Sequence, residues 1–335
     1  MATNIAFKQI TLATTDLAVI CGMDHYGRLS SVICKLWKQM DIDGYNNIVM
    51  NMKKAGHIIA SDSLYSKIAH YDHKTNKKGN VLNMVKALNQ RRETHSAALV
   101  AGQEAIYKAI DEKLKYHMNT DDINHLKSLV TSAANTQYGT RTEGRGLEIF
   151  QRETGKQVVS AQKLNKWIVH QDDMRQQQWI ITGKVDGITS DGEVLEIKNR
   201  QKCLFNVMRD YETTQVQCYL NNVPANKGYL LEVFKENSDM EPVFNIHTIE
   251  RDVTYYEQTV KANIPRIVEF MNSLVFSDYF TKEFKWCAIG GDRSGEVSKV
   301  FHNNTMFKET GESKQQHTVD RDIDISDIDV SRVGC

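Results

Sequence analysis

Residues 183–200 read GKVDGITSDGEVLEIKNR, and they place Asp186 ten residues ahead of Glu196 and Lys198 close behind it in a stretch that predicts a β-hairpin. Ser190-Asp191-Gly192 is typical of a tight turn, so we expect the segment carrying Asp186 to fold back along the segment carrying Glu196 and Lys198. Alternate residues of a strand share a face, so Glu196 and Lys198 are predicted to be neighbours on one surface. The hairpin should therefore bring two carboxylates and an ammonium group together.

This grouping suggests a divalent-cation site. Two facing carboxylates repel each other, and a cation between them removes that repulsion. Carboxylate oxygens suit Mg²⁺ or Mn²⁺, and such an ion keeps water molecules for chemistry. Lys198 would hold or deprotonate a water, or offset charge on a phosphate. Two readings stay open from these residues alone: one or two bound ions, or a solvated hairpin with a surface ion pair.

Composition describes a soluble globular protein. The chain has 335 residues, 41% of them hydrophobic, and only three prolines, so it could form one enlarged domain or two modest ones. No run approaches the roughly 18 apolar residues that a membrane-spanning helix needs. The six cysteines are scattered without paired spacing, which disfavours disulfides and cysteine-bound zinc or iron–sulfur clusters. We therefore expect an intracellular protein with no membrane association.

The charge balance conceals an uneven distribution. Lys plus Arg equals Asp plus Glu, at 42 each, but five aspartates fall within TVDRDIDISDIDV at residues 318–330. The remainder of the chain is accordingly somewhat basic, so nucleic acid is not excluded as a partner. We expect residues 302–335 to form an acidic, flexible tail.

Hydrophobic periodicity divides the rest of the chain in two. Residues 1–135 are predicted to be mostly helical, and residues 136–301 to form an α/β core with the order helix, strands, helix, strands. The expected core helices end near Gly155, span about 203–221, and run from 255 to 275 with an interruption at Pro265. The expected strands are 157–162, 178–189, 193–199, 227–235 and 242–250.

Three segments match a known pattern in order and spacing. The first is GTRTEGRGLEIFQRETG at residues 139–155, in which Gly139 precedes Glu143 by four residues and Phe150 follows it by seven. The second is VDG followed by LEIK in the hairpin, and the third is QVQCYL at residues 215–220. Together they resemble the PD-(D/E)XK nuclease superfamily, and within it the branch of bacteriophage lambda exonuclease and YqaJ-type viral recombinases.

The resemblance covers about residues 136–235. It implies an α/β (α+β) fold with a restriction-endonuclease-like core, in which helices flank a mixed central sheet, and the helical N-terminal region lies outside that core. Two positions depart from the family pattern: Val185 replaces the proline before the aspartate, and Gly146 replaces a common alanine. Neither is expected to take part in the chemistry, and Gly146 is small enough for close packing.

The resemblance also implies roles for individual residues. Glu143 would complete the metal site, with Glu148 as the second choice, and Gln217 would support the active site or a backbone phosphate. An upstream arginine binds a 5′-phosphate in the family; the unranked candidates here are Arg91, Arg92 and Arg141. The implied catalytic residues are Asp186, Glu196, Lys198, Glu143 and Gln217. The implied metal contacts are Glu143, Asp186, Glu196 and Ile197, and the nucleic-acid contacts are Gln215, Gln217, Arg141 and Arg200.

The function implied by the resemblance is Mg²⁺- or Mn²⁺-dependent hydrolysis of DNA. The expected enzyme is a 5′-to-3′ exonuclease on linear duplex ends, acting in viral or phage recombination or replication inside the host cell, in the cytoplasm or nucleus. A single-strand annealing protein is a possible partner, and the oligomeric state is open. The alternatives are an endonuclease of the same superfamily acting on DNA or RNA, and a non-catalytic nucleic-acid-binding scaffold.

Overall fold

A computed structural model gives the fold of most of the chain. It describes residues 7–25, 27–55, 66, 68, 80–90, 95–114, 120–160, 164–223, 225–290 and 295–303. The strands are β1 Lys8–Ala13, β2 Val158–Ser160, β3 Leu164–Asp172, β4 Gln177–Lys184, β5 Gly187–Thr189, β6 Val194–Arg200, β7 Lys227–Phe234 and β8 Val243–Glu250.

Helices precede, separate and follow these strands. They are α1 Thr14–Ile20, α2 Leu29–Met40, α3 Ile42–Lys54, α4 Asn80–Gln90, α5 Ser96–Leu114, α6 Thr120–Thr154, α7 Asp210–Asn222, α8 Val253–Tyr255, a π-helix at Tyr256–Lys261, α9 Asn263–Phe276, α10 Lys282–Gly290 and α11 Glu296–Asn303. None of the described helices is long and apolar enough to cross a membrane.

The strands form two mixed sheets. One has the order β1-β4-β3, with β1 parallel and β3 antiparallel to β4. The other has the order β2-β5-β6-β7-β8, in which only β6 and β7 are parallel. Helix α7 connects that parallel pair, as such a pair requires. The expected α/β class, with helices flanking mixed sheet structure, is confirmed, but the described strands form two mixed sheets where one central sheet was expected.

The chain changes from one sheet to the other at Asp186. A single strand was expected over residues 178–189, but β4 ends at Lys184 and β5 begins at Gly187. The side chain of Val185 is fully buried, and the Asp186 carboxylate accepts a hydrogen bond from the Ile197 backbone N–H at 2.7 Å. That bond takes the place of strand pairing at the break, so Asp186 lies where the two sheets meet.

Strand β6 has two buried faces. Leu195 and Ile197 pack against Phe150 of α6, whereas Val194 packs against Val216 of α7. The residues between Val194 and Arg200 therefore alternate between the two helices, as expected from the period of a strand. This alternation turns Glu196 and Lys198 toward α7.

Helix α6 connects two hydrophobic clusters. Its first part contributes Val130 and Tyr138 to a cluster with α4 and α5, and its last part packs on β6. It ends before Gly155, whose φ of +69° is the left-handed conformation that glycine adopts easily. The expected boundary between residues 135 and 136 falls within this continuous helix. The N-terminal region also contains a strand, β1, which the helical periodicity did not predict.

Other expected boundaries change as well. The helix expected from 203 begins only at Asp210, because residues 201–209 form a loop, and strand β3 was not expected. The strands expected near 227–235 and 242–250 are confirmed. Pro265 lies in the first turn of α9, where its missing N–H costs little, and the irregular π-helix comes just before it. Lys282–Gly290 and Glu296–Asn303 are helical, so the expected start of the tail at residue 302 still lies in α11, and residues 304–335 lie outside the described residues.

Gly146 lets α6 pack closely on β6. A Cβ atom there would lie 2.6 Å from Cγ2 of Ile197, whereas a Cβ at Gly144 would have no neighbour within 4 Å. We expect Gly146→Ala to lower the free energy of unfolding by about 1–2 kcal/mol, since overpacking outweighs the gain in helix propensity. Gly144→Ala should raise it by up to about 1 kcal/mol. Urea denaturation of both variants tests the packing; a Gly146→Ala protein as stable as Gly144→Ala would contradict it.

Candidate active site

An open cleft of about 790 Å³ is lined by Asp186, Glu196 and Lys198 of the hairpin. Helix α6 contributes Glu143, the junction between the sheets contributes Asp186, and β6 contributes Glu196 through Arg200. The start of α1 and one side of α7 complete the lining. Elements distant in sequence therefore meet around the predicted site residues.

Asp186 is oriented by the backbone of the neighbouring strand. One carboxylate oxygen accepts the 2.7 Å hydrogen bond from the Ile197 N–H. Burial raises the pKa of Asp186, and the nearby Glu143 charge raises it further, while that hydrogen bond and the charges of Lys198 and Lys184 act in the opposite direction. The carboxylate is thus held in place in an environment that disfavours its charge.

Glu196 is buried with its two oxygens in unequal surroundings. Its side chain is 5% exposed, and Oε1 accepts hydrogen bonds from Lys198 Nζ at 2.7 Å and Gln215 Nε2 at 3.0 Å. Oε2 is buried and has no hydrogen-bond partner among the described residues. Burial raises the pKa of Glu196 to about 7 against the opposing charge of Lys198, and Asp186 adds to the increase. This carboxylate lacks one favourable contact for its negative charge.

Lys198 is held as an ammonium group. Its Nζ also donates to Gln215 Oε1 at 3.0 Å. Burial alone would lower the pKa of Lys198, but the charge and hydrogen bond of Glu196 outweigh burial and raise it. In this arrangement Lys198 donates hydrogen bonds and carries a positive charge. Of the roles expected from the sequence, binding a water or a phosphate therefore fits Lys198 better than taking a proton from the water.

Gln215 and Tyr219 of α7 support this pair. Gln215 bonds both Lys198 and Glu196, and its Nε2 also donates to Tyr219 Oη at 3.1 Å. Tyr219 Oη in turn donates to the Lys184 carbonyl at 3.1 Å and receives the Thr14 hydroxyl at 3.2 Å. The sequence analysis missed Tyr219, although its position four residues after Gln215 indicates the same helix face.

Gln217, expected to support the active site, lies elsewhere. Its Nε2 donates to the Glu250 carbonyl at 2.9 Å and its Oε1 accepts from the Asp252 N–H at 2.8 Å. Two residues along a helix correspond to a rotation of about 200°, so Gln217 points away from the face that carries Gln215. The amide joins α7 to the end of β8, and of the two glutamines Gln215 is the one in the cleft.

Arg200 and Arg141, the arginines expected to contact nucleic acid, are not placed as expected. Arg200 borders the cleft, but its guanidinium is buried and bonds Glu212 at 2.7 Å and Glu232 at 2.6 Å, which neutralise its charge. Arg141 lies two residues from Glu143 on α6 and is not among the residues that line the cleft. Arg91 and Arg92 lie outside the described residues.

The choice between Glu143 and Glu148 follows from their positions on α6. Glu143 lines the cleft and its charge acts on Asp186, whereas Glu148 is exposed and does not line the cleft. Of the two glutamates, Glu143 is therefore the one placed to act with Asp186 and Glu196.

The donor set fits a divalent cation in chemistry, although it is not assembled as a three-ligand cluster. Among the described residues, no three His, Cys, Asp or Glu side chains are grouped closely enough to hold a metal ion. The cleft nevertheless contains a buried oxygen without a partner, Glu196 Oε2, and the carboxylates of Asp186 and Glu143. Hard oxygen donors with an unsatisfied negative charge are the ligands that Mg²⁺ and Mn²⁺ prefer.

Comparisons with known proteins found distant structural likenesses. No family model and no curated protein sequence matches the chain. Two similar solved structures are SSO0001 and an alkaline exonuclease from Laribacter hongkongensis, each 14% identical with a TM-score of 0.32. The first match covers 58% of this chain and 85% of the other, and the second covers 57% and 89%.

The buried Glu196 carboxylate predicts a pH dependence of stability without metal. The folded protein binds a proton at Glu196 more tightly than the unfolded chain does. The contribution of this proton to the free energy of unfolding is therefore fully present below about pH 4.5 and is lost as pH rises toward 7. We expect a loss on the order of 3 kcal/mol over this range, and a smaller loss in Glu196→Gln, which cannot ionise. Urea denaturation in EDTA at several pH values measures it.

The matched control is Glu148→Gln, which alters an exposed glutamate of α6. Its pH profile should follow that of the wild type. Parallel profiles for the wild type and Glu196→Gln would contradict the inferred cost of burying the Glu196 charge.

Proposed function

We propose that this chain is a Mg²⁺- or Mn²⁺-dependent nuclease that hydrolyses phosphodiester bonds of DNA. The observation that supports this most strongly is the trio in the cleft: the oriented Asp186, the buried Glu196 with its unpartnered Oε2, and the Lys198 ammonium. Two carboxylates for a cation and one fixed ammonium suit attack of water on a phosphodiester. The open cleft leaves room for a polymer to enter.

Each residue has a distinct part in the proposed reaction. Asp186 and Glu196 would hold the cation, with Glu143 and the Ile197 backbone as further contacts. When bound there, a divalent cation supplies charge neutralisation on the phosphate and activation of the attacking water. Lys198 donates hydrogen bonds to the oxygens on which charge develops, and Gln215 fixes the Lys198 side chain. Tyr219 ties this group to the strand that ends at Lys184.

The finer assignment draws on the motifs shared with the lambda exonuclease and YqaJ-type branch. We propose a 5′-to-3′ exonuclease that digests linear duplex DNA during viral or phage recombination or replication inside the host cell. Digestion of one strand would leave a 3′ single strand for a single-strand annealing protein. Arg200, expected as a nucleic-acid contact, is neutralised by Glu212 and Glu232. The candidates for binding a 5′-phosphate remain Arg91, Arg92 and Arg141, of which Arg141 does not line the cleft and the other two lie outside the described residues.

Substitutions in the trio should separate metal binding from chemistry. Asp186→Ala should reduce Mg²⁺-dependent nucleotide release from linear duplex by at least about 10³-fold and should also weaken Mn²⁺ binding in calorimetry. Lys198→Met should lose rate to a similar extent while keeping most of the Mn²⁺ affinity, because an ammonium has no lone pair for a metal. Glu148→Ala is the control. An active Asp186→Ala enzyme would overturn the site.

End preference tests the exonuclease assignment. A pocket that binds a terminal phosphate gains a charge-assisted contact that a hydroxyl end does not provide. Duplexes with 5′-phosphates should therefore be digested much faster than duplexes with 5′-hydroxyls, and closed circles should survive. Time courses on duplexes labelled at each end measure the direction. Cutting of closed circles would favour an endonuclease, and earlier loss of the 3′ label would reverse the direction, in both cases leaving the metal site intact.

A further inference from the structure

The loop between β6 and α7, residues 201–209, lies at the edge of the cleft. Arg200 before it and Tyr211 after it both line the cleft. At its start, the Gln201 side chain donates to Asn135 Oδ1 of α6, which also receives Gln103 Nε2 at 3.2 Å. The loop is thus attached to α6 where it leaves β6.

A buried carboxylate fixes the middle of this loop. Glu232 of β7 is completely buried and accepts the backbone N–H groups of Phe205 at 3.2 Å and Asn206 at 3.1 Å. Asn206 has a φ of +60°, a left-handed conformation that asparagine adopts more readily than most residues other than glycine. A left-handed backbone conformation persists where neighbouring contacts stabilise it, as the Glu232 hydrogen bonds do here, and such conformations are often found at binding sites.

Two guanidinium groups hold the Phe205 ring. The guanidinium carbon of Arg200 lies 4.0 Å from the ring centroid and that of Arg209 lies 4.5 Å from it. The Arg200 charge is compensated by Glu212 and Glu232, whereas Arg209 is exposed to solvent at the far end of the loop. The ring therefore anchors the loop and also fixes the direction of an exposed cation.

The outer surface of the loop combines positive charge with an apolar side chain. Lys202, Asn206 and Arg209 are exposed, and Val207 is 57% exposed. Val207 is one of several exposed apolar side chains among the described residues, and it shares its loop with two exposed cations, Lys202 and Arg209. This combination suits a partner that carries phosphates and also presents apolar surface, as a nucleic-acid strand does with its sugars and bases.

We infer that residues 201–209 form a preformed nucleic-acid-binding loop beside the cleft. Lys202 and Arg209 contact backbone phosphates, and Val207 packs on a sugar or base of the strand that passes the active site. This inference rests on the proposed function, since it identifies where the proposed DNA substrate is held. Because Glu232 and Phe205 order the loop in advance, binding costs little conformational entropy.

The experiment measures binding of a fluorescein-labelled linear duplex by anisotropy, in EDTA at low salt. Val207→Asp should weaken binding by on the order of tenfold, because it places a negative charge against phosphates. The matched control is Val253→Asp at the start of α8, a valine of similar exposure, 52%, that follows the end of β8 opposite to the one level with Arg200. That variant should bind like the wild type. Thermal melts confirm that both variants fold.

A second pair of variants tests the shape of the loop without altering its charge. Asn206→Gly keeps the left-handed backbone accessible and should bind nearly as the wild type, whereas Asn206→Val disfavours it and should bind several-fold more weakly. Equal affinities of Val207→Asp and Val253→Asp, or of the two Asn206 variants, would overturn the loop assignment. Nucleotide release with Mg²⁺, measured on the wild type in parallel, decides the proposed function separately: an inactive protein whose binding depends on the loop would refute the nuclease alone.

Discussion

The arrangement of this cleft depends on a carboxylate buried with only one of its two oxygens satisfied. Glu196 Oε1 accepts hydrogen bonds from Lys198 and Gln215, and Oε2 has no hydrogen-bond partner among the described residues. A buried charge of this kind is costly to the fold unless something compensates it. A bound cation would compensate this charge. On the proposed function, the buried Glu196 carboxylate is retained, although it is unfavourable to the fold, because it holds the cation.

The surrounding elements place that carboxylate and its neighbours. Close packing of α6 on β6, permitted by Gly146, buries one face of the strand and leaves the alternate residues to α7. The change of sheet at Asp186 lets its carboxylate turn back to the Ile197 N–H. Gln215 and Tyr219 on one face of α7 then connect Lys198 to the end of β4. A small number of backbone positions thereby determines the geometry of the cleft.

Sequence reasoning succeeded where local rules decide the outcome. The hairpin, the alternation along β6 and the end of α6 at Gly155 follow from turn chemistry and strand period. Sequence reasoning failed where tertiary contacts determine the structure. The pairing of β1 with β4 is non-local, and the neutralisation of Arg200 depends on Glu232 from a later strand. Gln217 matched a motif, yet its amide forms hydrogen bonds with the backbone at the end of β8. The helix period places Gln215 and Tyr219 on one face of α7, and that rule alone would have favoured Gln215 as the glutamine in the cleft.

Anomalous diffraction from crystals of this chain grown with Mn²⁺ tests the central claim most directly. The account predicts a manganese peak within coordination distance of Glu196 Oε2 and an Asp186 oxygen, with Lys198 still bonded to Gln215. It also predicts that the peak is lost in crystals of Glu196→Gln. A protein that binds Mn²⁺ in the crystal without a peak at these two carboxylates would contradict the proposed site, since the unpartnered oxygen would then have no cation to compensate it.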